Sequence, residues 1–239
     1  MQLSKRLQMV ADSVTKGYLV ADVGCDHAYT SIYLARNQIS PHIIAMDVNQ
    51  GPIERAKENI IRYGCKDFIE ARKSNGLEKL NCGEADSVII AGMGGALMVQ
   101  ILEQSLEVTK SLKELILQPQ SEIYKVRQFL LEKEFIIIEE NMLKEDGKYY
   151  VMIKAVPQKL VEEKDVFLLT REEEFHYGRL LLNRQNTILK EFLLWDLDLC
   201  EGIAQSLQGN QSSQAEQRRT DIQAKMELIH KGLEYFKKE

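Results

Sequence analysis

Short apolar runs alternate with helical patterns through the first 157 residues, and this alternation restricts the fold more than any other feature of the chain. Between the runs, apolar residues recur at helical spacing over 29–38, 51–63, 95–106 and 122–132. The runs themselves predict buried strands at Tyr18–Val23, Ile43–Val48, Asp86–Ala91 and Leu115–Leu117. Such alternation specifies an α/β fold, with a mostly parallel sheet covered by helices on both faces.

Two further strands follow without a helix between them. Phe135–Glu140 and Tyr149–Ala155 are rich in β-branched and aromatic residues, and the turn-like Glu145-Asp146-Gly147 lies between them. We therefore predict a β-hairpin that closes one edge of the sheet.

The last third of the chain has a different composition. All four prolines lie at or before Pro157, so we predict a boundary near 157–164, with one domain at 1–157 and a helical hairpin at 158–239. Thr170–Glu173 fits a capping box in which Glu173 reaches back, and the polar segment 208–214 is a candidate reversal. A heptad-spaced seam at Ile222, Met226, Ile229, Leu233 and Phe236 predicts antiparallel, coiled-coil-like packing against a stripe of Leu181, Leu182, Ile188, Leu189, Phe192 and Trp195. We interpret both stripes as core rather than as a ligand site.

Composition and charge exclude several classes of protein. There are 31 basic and 36 acidic residues, a net charge of −5, and 44% of residues are apolar, which argues against disorder and against a chain-wide basic surface for nucleic acid. No apolar run approaches a membrane span, and the first residues lack the apolar core of a signal peptide. The four cysteines are scattered and unpaired in sequence. We expect a cytoplasmic protein with reduced thiols, no metal and no membrane contact.

The turn after the first predicted strand carries the most chemical information. Asp22 and Gly24 lie where this strand turns into a helix, and the carboxyl ends of such strands are where open α/β sheets bind ligands. Asp47 ends the second strand, where a carboxylate accepts hydrogen bonds from both hydroxyls of a ribose. Together these residues indicate a cofactor that contains a nucleoside.

Charge distinguishes between the two common cofactors of this kind. A dinucleotide-binding turn, G-x-G-x-x-G, would need glycine at positions 26 and 29, where this chain has Asp26 and Tyr29. A carboxylate repels a pyrophosphate but suits the sulfonium and ammonium groups of S-adenosylmethionine. The turn therefore favours a methyl donor. The alternative for Asp26 is capping of the following helix, which is compatible with binding.

Two more segments lie at the same edge of the predicted sheet. The segment Lys73–Leu77 follows a short third strand, which precedes the one at Asp86–Ala91. Its Asn75 has an amide that matches the donor and acceptor of an adenine edge, although Asn-Gly is also a common turn. Gly92, Gly94 and Gly95 follow the fourth strand and allow close approach of a flat target. Packing at the start of the next helix is the alternative for these glycines.

Four motifs together resemble those of the bacterial tRNA (adenine-22-N1)-methyltransferases. They are Asp22-Val23-Gly24-Cys25-Asp26-His27-Ala28-Tyr29, Asp47 with Gln50-Gly51-Pro52, Ile90-Ala91-Gly92-Met93-Gly94-Gly95, and Leu115-Ile116-Leu117-Gln118-Pro119-Gln120. The resemblance covers nearly all of residues 1–157, and the C-terminal helices match the family's architecture. It implies a Rossmann-like class I methyltransferase that uses S-adenosylmethionine to methylate N1 of adenine 22 in the D-arm region of tRNA.

The resemblance and the motifs also suggest roles for particular residues. Asp26 and Tyr29 are the catalytic candidates, Asp26 through the adenine amino group and Tyr29 by packing on the base. The cofactor set comprises Asp22, Gly24, Cys25, Asp26, His27, Asp47, Val48, Asn49, Asn75, Gly76, Ala91, Gly92 and Met93. The substrate set comprises Arg6, Tyr29, Gly94, Gly95 and Pro119. His27 is a weak candidate for a general base, because adenine N1 already carries a free lone pair, and Arg6 is equally compatible with a solvated charge.

Charge alone gives no support for RNA binding, because neither part of the chain is basic. Candidate phosphate contacts are the pairs Lys5/Arg6, Arg55/Lys57, Arg72/Lys73, Lys125/Arg127, Lys144/Lys148 and Arg218/Arg219. Two alternatives remain open: a methyltransferase acting on a small molecule or protein, whose helical hairpin mediates dimerisation, and a catalytically silent cofactor- or RNA-binding module. The main interpretation requires no oligomer.

Overall fold

A computed structural model describes residues 1–162, 166, 168–208 and 212–237 of the chain. The protein divides into two compact units, Met1–Leu168 and Leu169–Glu239. Parts of the predicted boundary at 157–164 and of the predicted reversal at 208–214 lie outside the described residues.

The first unit is built on a seven-stranded sheet with the order β3-β2-β1-β4-β5-β7-β6. The neighbours among β1 to β5 pair in parallel, whereas β7 runs antiparallel to both β5 and β6. The strands are β1 Val20–Val23, β2 Ile43–Asp47, β3 Ile69–Lys73, β4 Ser87–Gly94, β5 Glu114–Ser121, β6 Phe135–Glu145 and β7 Lys148–Pro157. The predicted fold, a mostly parallel sheet closed by a hairpin, is confirmed.

Six α-helices in the described part of the first unit accompany the sheet. Their bounds are α1 Lys5–Asp12, α2 Tyr29–Arg36, α3 Gln50–Arg62, α4 Gly95–Gln104, α5 Leu106–Ser111 and α6 Ile123–Glu132. The central strands are mostly apolar because helices cover both faces: Ile89, Ile116 and Met46 are all fully buried. This rigid core holds the strand ends, and therefore the loops after them, in fixed relative positions.

Several predicted bounds were too short, because pairing between strands extends regular structure beyond the apolar runs. The fourth strand continues past Ala91 to Gly94, with two irregularities against β5, so the glycine segment is strand rather than loop. β5 runs to Ser121, and both arms of the hairpin reach the turn at Asp146-Gly147. The first strand is shorter than predicted and begins at Val20.

The second unit contains α7 Arg179–Asn183, α8 Thr187–Ser206 and α9 Ser213–Glu234, preceded by a π-helical turn at Glu174–Gly178. α8 and α9 are antiparallel. Asp196 of α8 bonds Lys225 of α9 at 2.7 Å, and farther along α8 the carbonyl of Leu207 accepts from Arg219. The predicted helical hairpin is confirmed.

The predicted contact face of the earlier helix was partly wrong. Asn186 accepts a hydrogen bond from the backbone of Leu189 and so starts a new helix, which separates α8 from Leu181 and Leu182. The buried residues of α8 are Leu189, Leu193, Asp196 and Cys200, while Trp195 is 51% exposed. The capping prediction was also wrong in detail, because Glu174 rather than Glu173 accepts from the backbone amide of Thr170.

Among the helices that the structure describes, none combines the length and apolarity that a membrane crossing needs. Within the same described residues, no cluster of three or more His, Cys, Asp or Glu side chains is placed to hold a metal ion.

Candidate functional site

The strand order creates a crevice at the carboxyl ends of β1 and β4. The chain leaves β1 toward β2 on one side, whereas β4 lies on the other, so the helices that follow these strands depart in opposite directions. This switch point brings together the turn after β1, the end of β2 and the glycine-rich end of β4. The sequence motifs therefore meet at one edge of the sheet, where ligands of open α/β sheets bind.

Asp22 is the buried anion of this crevice. Its side chain is only 5% exposed and accepts a hydrogen bond of 2.7 Å from the hydroxyl of Ser31, in the first turn of α2. Burial raises the pKa of Asp22 to about 6, and the hydrogen bonds from Ser31 offset part of this effect. Asp47 raises the pKa further. A positive ligand group beside Asp22 would relieve both destabilising effects.

Gly24 forms a tight turn whose backbone conformation disfavours a side chain. Its φ is +74°, and a Cβ built on it would lie 2.2 Å from the Cε atom of Met93. The amides of Gly24 and Cys25 both donate to the carbonyl of Met46, which fixes the turn against β2. Cys25 is buried, and burial raises the pKa of its thiol, so it remains neutral at pH 7.

Asp26 faces α3 rather than the start of α2. Its carboxylate pairs with Arg55 at 3.2 Å and lies 3.5 Å from the imidazole of His27. Ala28, the residue before α2, has a left-handed conformation, and no side chain caps the helix. Asp26 therefore does not cap α2, which was its alternative role. Asp26 remains 61% exposed, which leaves it open to a ligand in the crevice.

His27 and Tyr29 form an aromatic pair at the mouth of the crevice. The two rings are stacked, with centroids 5.5 Å apart and planes inclined by 16°. The backbone carbonyl of His27 accepts from Asn59 of α3, which fixes this part of the turn. Tyr29 is 39% exposed, so part of its ring can receive a flat partner.

The loops after β2 and β3 lie beside the turn. Asp47 is half-buried, and one carboxylate oxygen accepts from the amide of Asn49 at 2.9 Å. Val48 and Asn49 are exposed. Asn75 donates to Glu78, and Gly76 is required because a Cβ there would lie 2.8 Å from Ile101.

Arg6 reaches this edge of the sheet from α1. Its guanidinium donates to the Oε1 atom of Gln118 at 2.8 Å, and the same oxygen accepts from the amide of Gly92 at 3.1 Å. Gln118 is fully buried and also donates to the carbonyl of Pro119. These hydrogen bonds join Arg6 to the end of β4. The alternative interpretation, in which Arg6 is a solvated charge, does not fit these contacts.

Gly94, at the end of β4, and Gly95, at the start of α4, differ in their surroundings. A Cβ on Gly95 would lie 2.5 Å from the backbone oxygen of Glu122 and 2.7 Å from that of Ser121. Gly95 is buried, as is Pro119, whereas Gly94 is half-buried beside the hydroxyl of Ser121. Close packing of α4 thus explains Gly95, and its contact with a substrate base stays a prediction.

The basic pairs that were candidates for phosphate contacts differ in how available their charges are to a ligand. Arg127 is fully buried against Glu140, so its charge is not available to a phosphate. Arg72 is held by Glu70 and Glu84 and is 20% exposed. The pairs at 5/6 and 144/148 lie at the same end of the sheet as the crevice.

Sequence reasoning did not assign roles to Ser31 and Gln118. Ser31 orients Asp22, and Gln118 links Arg6 to Gly92. Hydrogen bonds between residues far apart in the chain have no periodicity, so no sequence pattern reveals them. The only available indication for Gln118 was its position directly after the predicted apolar strand Leu115–Leu117, within one of the four family motifs.

Residues 3–153 match a family described as a methyltransferase domain. The curated tRNA (adenine(22)-N(1))-methyltransferase of Bacillus subtilis strain 168 is 31% identical over 236 residues, which are 98% of this chain and 98% of that protein. The crystal structure of the B. subtilis m1A22 tRNA methyltransferase has a TM-score of 0.83 and 31% identity, covering 97% of this chain and 99% of that one. A putative m1A22 methyltransferase of Streptococcus pneumoniae, in complex with S-adenosyl-L-methionine, has a TM-score of 0.80 and 28% identity, covering 97% and 100%.

Strand order, switch-point crevice and family match together define the first unit as a Rossmann-like methyltransferase domain. Because the similarity to the B. subtilis enzyme extends over both units, it is more specific than the domain alone. The chain belongs to the bacterial tRNA (adenine(22)-N(1))-methyltransferase family. The family resemblance carried by the four sequence motifs is thereby confirmed.

Proposed function

We propose that this protein transfers a methyl group from S-adenosylmethionine to N1 of adenine 22 in tRNA. The observation that carries the proposal is the buried Asp22 at the switch point, in a chain whose similarity to the B. subtilis tRNA (adenine(22)-N(1))-methyltransferase spans 98% of both proteins. The bound S-adenosyl-L-methionine of the S. pneumoniae relative supports the choice of cofactor.

The side chains of the crevice fit S-adenosylmethionine chemically. Asp22 is a buried carboxylate without a cationic side chain among the described contacts, which suits the cofactor's positive charges. Asp47 is half-buried at the end of β2 and suits a ribose diol, and Asn75 lies in the next loop for the adenine. The carboxylates of Asp22 and Asp26 in the turn after β1 disfavour a pyrophosphate and therefore a dinucleotide.

The reaction requires little acid–base catalysis by the protein. When bound, the cofactor supplies an electrophilic methyl group and leaves as a neutral thioether. Adenine N1 has a lone pair in the plane of the ring, so the protein's task is to align the base and exclude competing orientations. A neutral Cys25 thiol and a half-buried His27 are compatible with this assignment, because the reaction requires no side-chain nucleophile and no general base.

Asp26 is placed to respond to the charge that develops on the substrate. Methylation at N1 leaves the adenine positively charged, and the exposed Asp26 carboxylate can accept from its amino group. Arg55 holds this carboxylate in place from α3. We expect Asp26→Asn to lower kcat about 10- to 100-fold with little change in cofactor affinity, measured by single-turnover methylation. Full methylation by Asp26→Asn with unchanged cofactor affinity would contradict the catalytic role.

Tyr29 is proposed to stack on the target base after the base leaves its own stack. Its ring is half-exposed and already held parallel to His27. We expect Tyr29→Ala to lower kcat/KM for tRNA about 10- to 100-fold, because stacking on an aromatic contributes roughly 1–3 kcal/mol per base. Steady-state methylation of unmodified tRNA measures this effect.

The matched control for this substitution is Tyr29→Phe, which keeps the ring and removes only the hydroxyl. It should retain most of the activity if stacking is the role of Tyr29. Equal losses in the Phe and Ala variants would instead assign the effect to the hydroxyl group.

One incubation separates the proposed function from its alternatives. Purified protein is given labelled methyl donor with unmodified tRNA, and in parallel with tRNA-free extract of small molecules and proteins. Label in N1-methyladenine at position 22 supports the proposal, and a tRNA with guanosine at position 22 is the matched control. Label absent from tRNA but present in the extract favours a small-molecule or protein methyltransferase. Donor binding without any transfer favours the silent module.

A further inference from the structure

The β6–β7 hairpin ends in a narrow tip beside the crevice. β7 is antiparallel to β5, so Lys148 at its start and Glu145 at the end of β6 lie at the end of the sheet where β5 terminates. A two-residue turn, Asp146-Gly147, joins the arms, with φ of +49° and +75°. Turns of this kind match the twist of the strands, so the tip is a defined structural element.

One face of the tip is attached to α1. The carboxylate of Glu145 accepts from the backbone amides of both Lys5 and Arg6, at 2.7 and 3.1 Å, and therefore binds the amino end of this helix. Arg6 lies over the ring of Tyr150, 5.6 Å from its centroid, and continues to Gln118 beside Gly92. Lys148 is opposite Glu145 in the register and points to the same face.

The other face of the tip carries a second cation and tyrosine. Lys144 and Tyr149 are opposite each other in the register, and the ammonium group lies 4.8 Å from the centroid of the ring. Successive side chains alternate between faces, so this pair projects away from α1. Cations are thus held on both sides of the same tip, next to the site.

The charge of this surface contrasts with that of the whole protein. Of the charged groups at the tip, Lys5, Arg6, Lys144 and Lys148 are positive, the carboxylate of Glu145 is engaged by the backbone of α1, and the exposed Asp146 of the turn is negative. The protein as a whole has a net charge of −5, which disfavours non-specific binding of a polyanion. The contacts with Tyr149 and Tyr150 also hold two of the cations in place, which lowers the entropy lost on binding.

We propose that the tip surface, consisting of Lys5, Arg6, Lys144, Lys148, Tyr149 and Tyr150, binds the sugar-phosphate backbone of the tRNA next to the target adenine. This inference rests on the proposed function, because it names the surface that presents the substrate to that site. Arg6 connects the tip surface with the candidate site, since its side chain contacts both Tyr150 and Gln118, and Gln118 accepts from the amide of Gly92.

The test compares two double variants of the full chain. Lys144→Ala/Lys148→Ala removes two exposed cations from the tip, and Lys110→Ala/Lys159→Ala removes two exposed lysines from the opposite end of the sheet. We expect the tip variant to bind unmodified tRNA about 10- to 30-fold more weakly at 0.1 M salt. Its plot of log affinity against log salt should be shallower by about 2, because each phosphate contact contributes a slope of roughly 0.9.

Further measurements separate binding from catalysis and from folding. KM for tRNA should rise with the loss of affinity, whereas kcat at saturating tRNA, affinity for S-adenosylmethionine and Tm should match those of the Lys110→Ala/Lys159→Ala control. Lys144→Arg/Lys148→Arg should restore binding. If the tip and control variants have equal tRNA affinity and equal salt slopes, the inference is overturned.

The activity of the wild-type protein keeps the two proposals distinguishable. A wild type that methylates tRNA, together with an unaffected tip variant, overturns only the tip surface. A wild type that transfers no methyl group to tRNA overturns the proposed function, whatever the variants do. Loss of binding to a protein partner rather than to tRNA in the tip variant also overturns the inference.

Discussion

Asp22→Asn is expected to weaken the binding of S-adenosylmethionine about 100-fold or more. The substitution keeps the size of the side chain and an oxygen that accepts from Ser31, but removes the negative charge that we propose attracts the cationic cofactor. A 100-fold loss corresponds to about 2.7 kcal/mol, which is typical for removing a charged partner in a buried site. Isothermal titration of both proteins with the cofactor at pH 7.5 measures it.

The pKa of Asp22 predicts how this binding depends on pH. Because burial raises that pKa from 3.8 to about 6, the carboxylate is increasingly protonated below pH 6, and a cationic ligand must displace the proton. We expect the affinity of the wild type to fall as the pH drops from 7 to 5, approaching tenfold per pH unit below 6. The Asp22→Asn variant should lack this dependence. Parallel pH profiles for the two proteins would contradict the assignment.

The same pKa gives the sign of the effect on stability. In the fold, Asp22 binds a proton more readily than in the unfolded chain, so its ionised form opposes folding above pH 6. The Asp22→Asn variant should therefore be at least as stable as the wild type at pH 8, and this advantage should shrink as the pH falls through 6 toward 4. A stable variant that no longer binds the cofactor would assign Asp22 to binding rather than to folding.

Arg127→Met is expected to lower the free energy of unfolding by about 3–5 kcal/mol. Arg127 of α6 and Glu140 of β6 are 0% and 1% exposed, and the guanidinium lies 2.8–2.9 Å from one carboxylate oxygen. Removing the arginine leaves a buried carboxylate without its cation, which costs more than the pair itself contributes. Urea denaturation followed by circular dichroism measures the change.

A double variant distinguishes loss of the pair from loss of packing. Arg127→Met/Glu140→Met removes both charges and keeps much of the volume, so we expect it to recover most of the stability. A double variant as unstable as Arg127→Met would mean that shape rather than charge determines the effect. This pair joins α6 to the strand that carries the tip, so the single variant should also weaken tRNA binding at temperatures near its lowered Tm.

The predicted site residues differ in how far the sequence explains them. The position of Asp22, Gly24 and Asp47 at one edge of the sheet was predictable, because parallel strands place their carboxyl ends at the same edge. Their roles in binding the cofactor stay predictions. The assignment to adenine 22 rests on family motifs and on the relatives' identity, since composition gave no indication of RNA.

Other features required the folded chain. Neither the direction of Asp26 toward Arg55 nor the burial of Arg127 follows from residue type, since both depend on which helices pack beside them. The buried face of α8 was mispredicted for the same reason: a cap at Asn186 starts a new helix, and a heptad pattern does not record that break.

The sequence by itself determined the order of strands and helices, the closing hairpin, the helical second unit and the chemistry of the crevice. These are consequences of local periodicity and of residue charge. The tertiary structure alone decided that Glu145 binds the start of α1 and that Gln118 joins Arg6 to Gly92. Such contacts link residues more than 25 positions apart, and their geometry is set by the packing of whole elements. For that reason the tip surface became visible only in the folded protein.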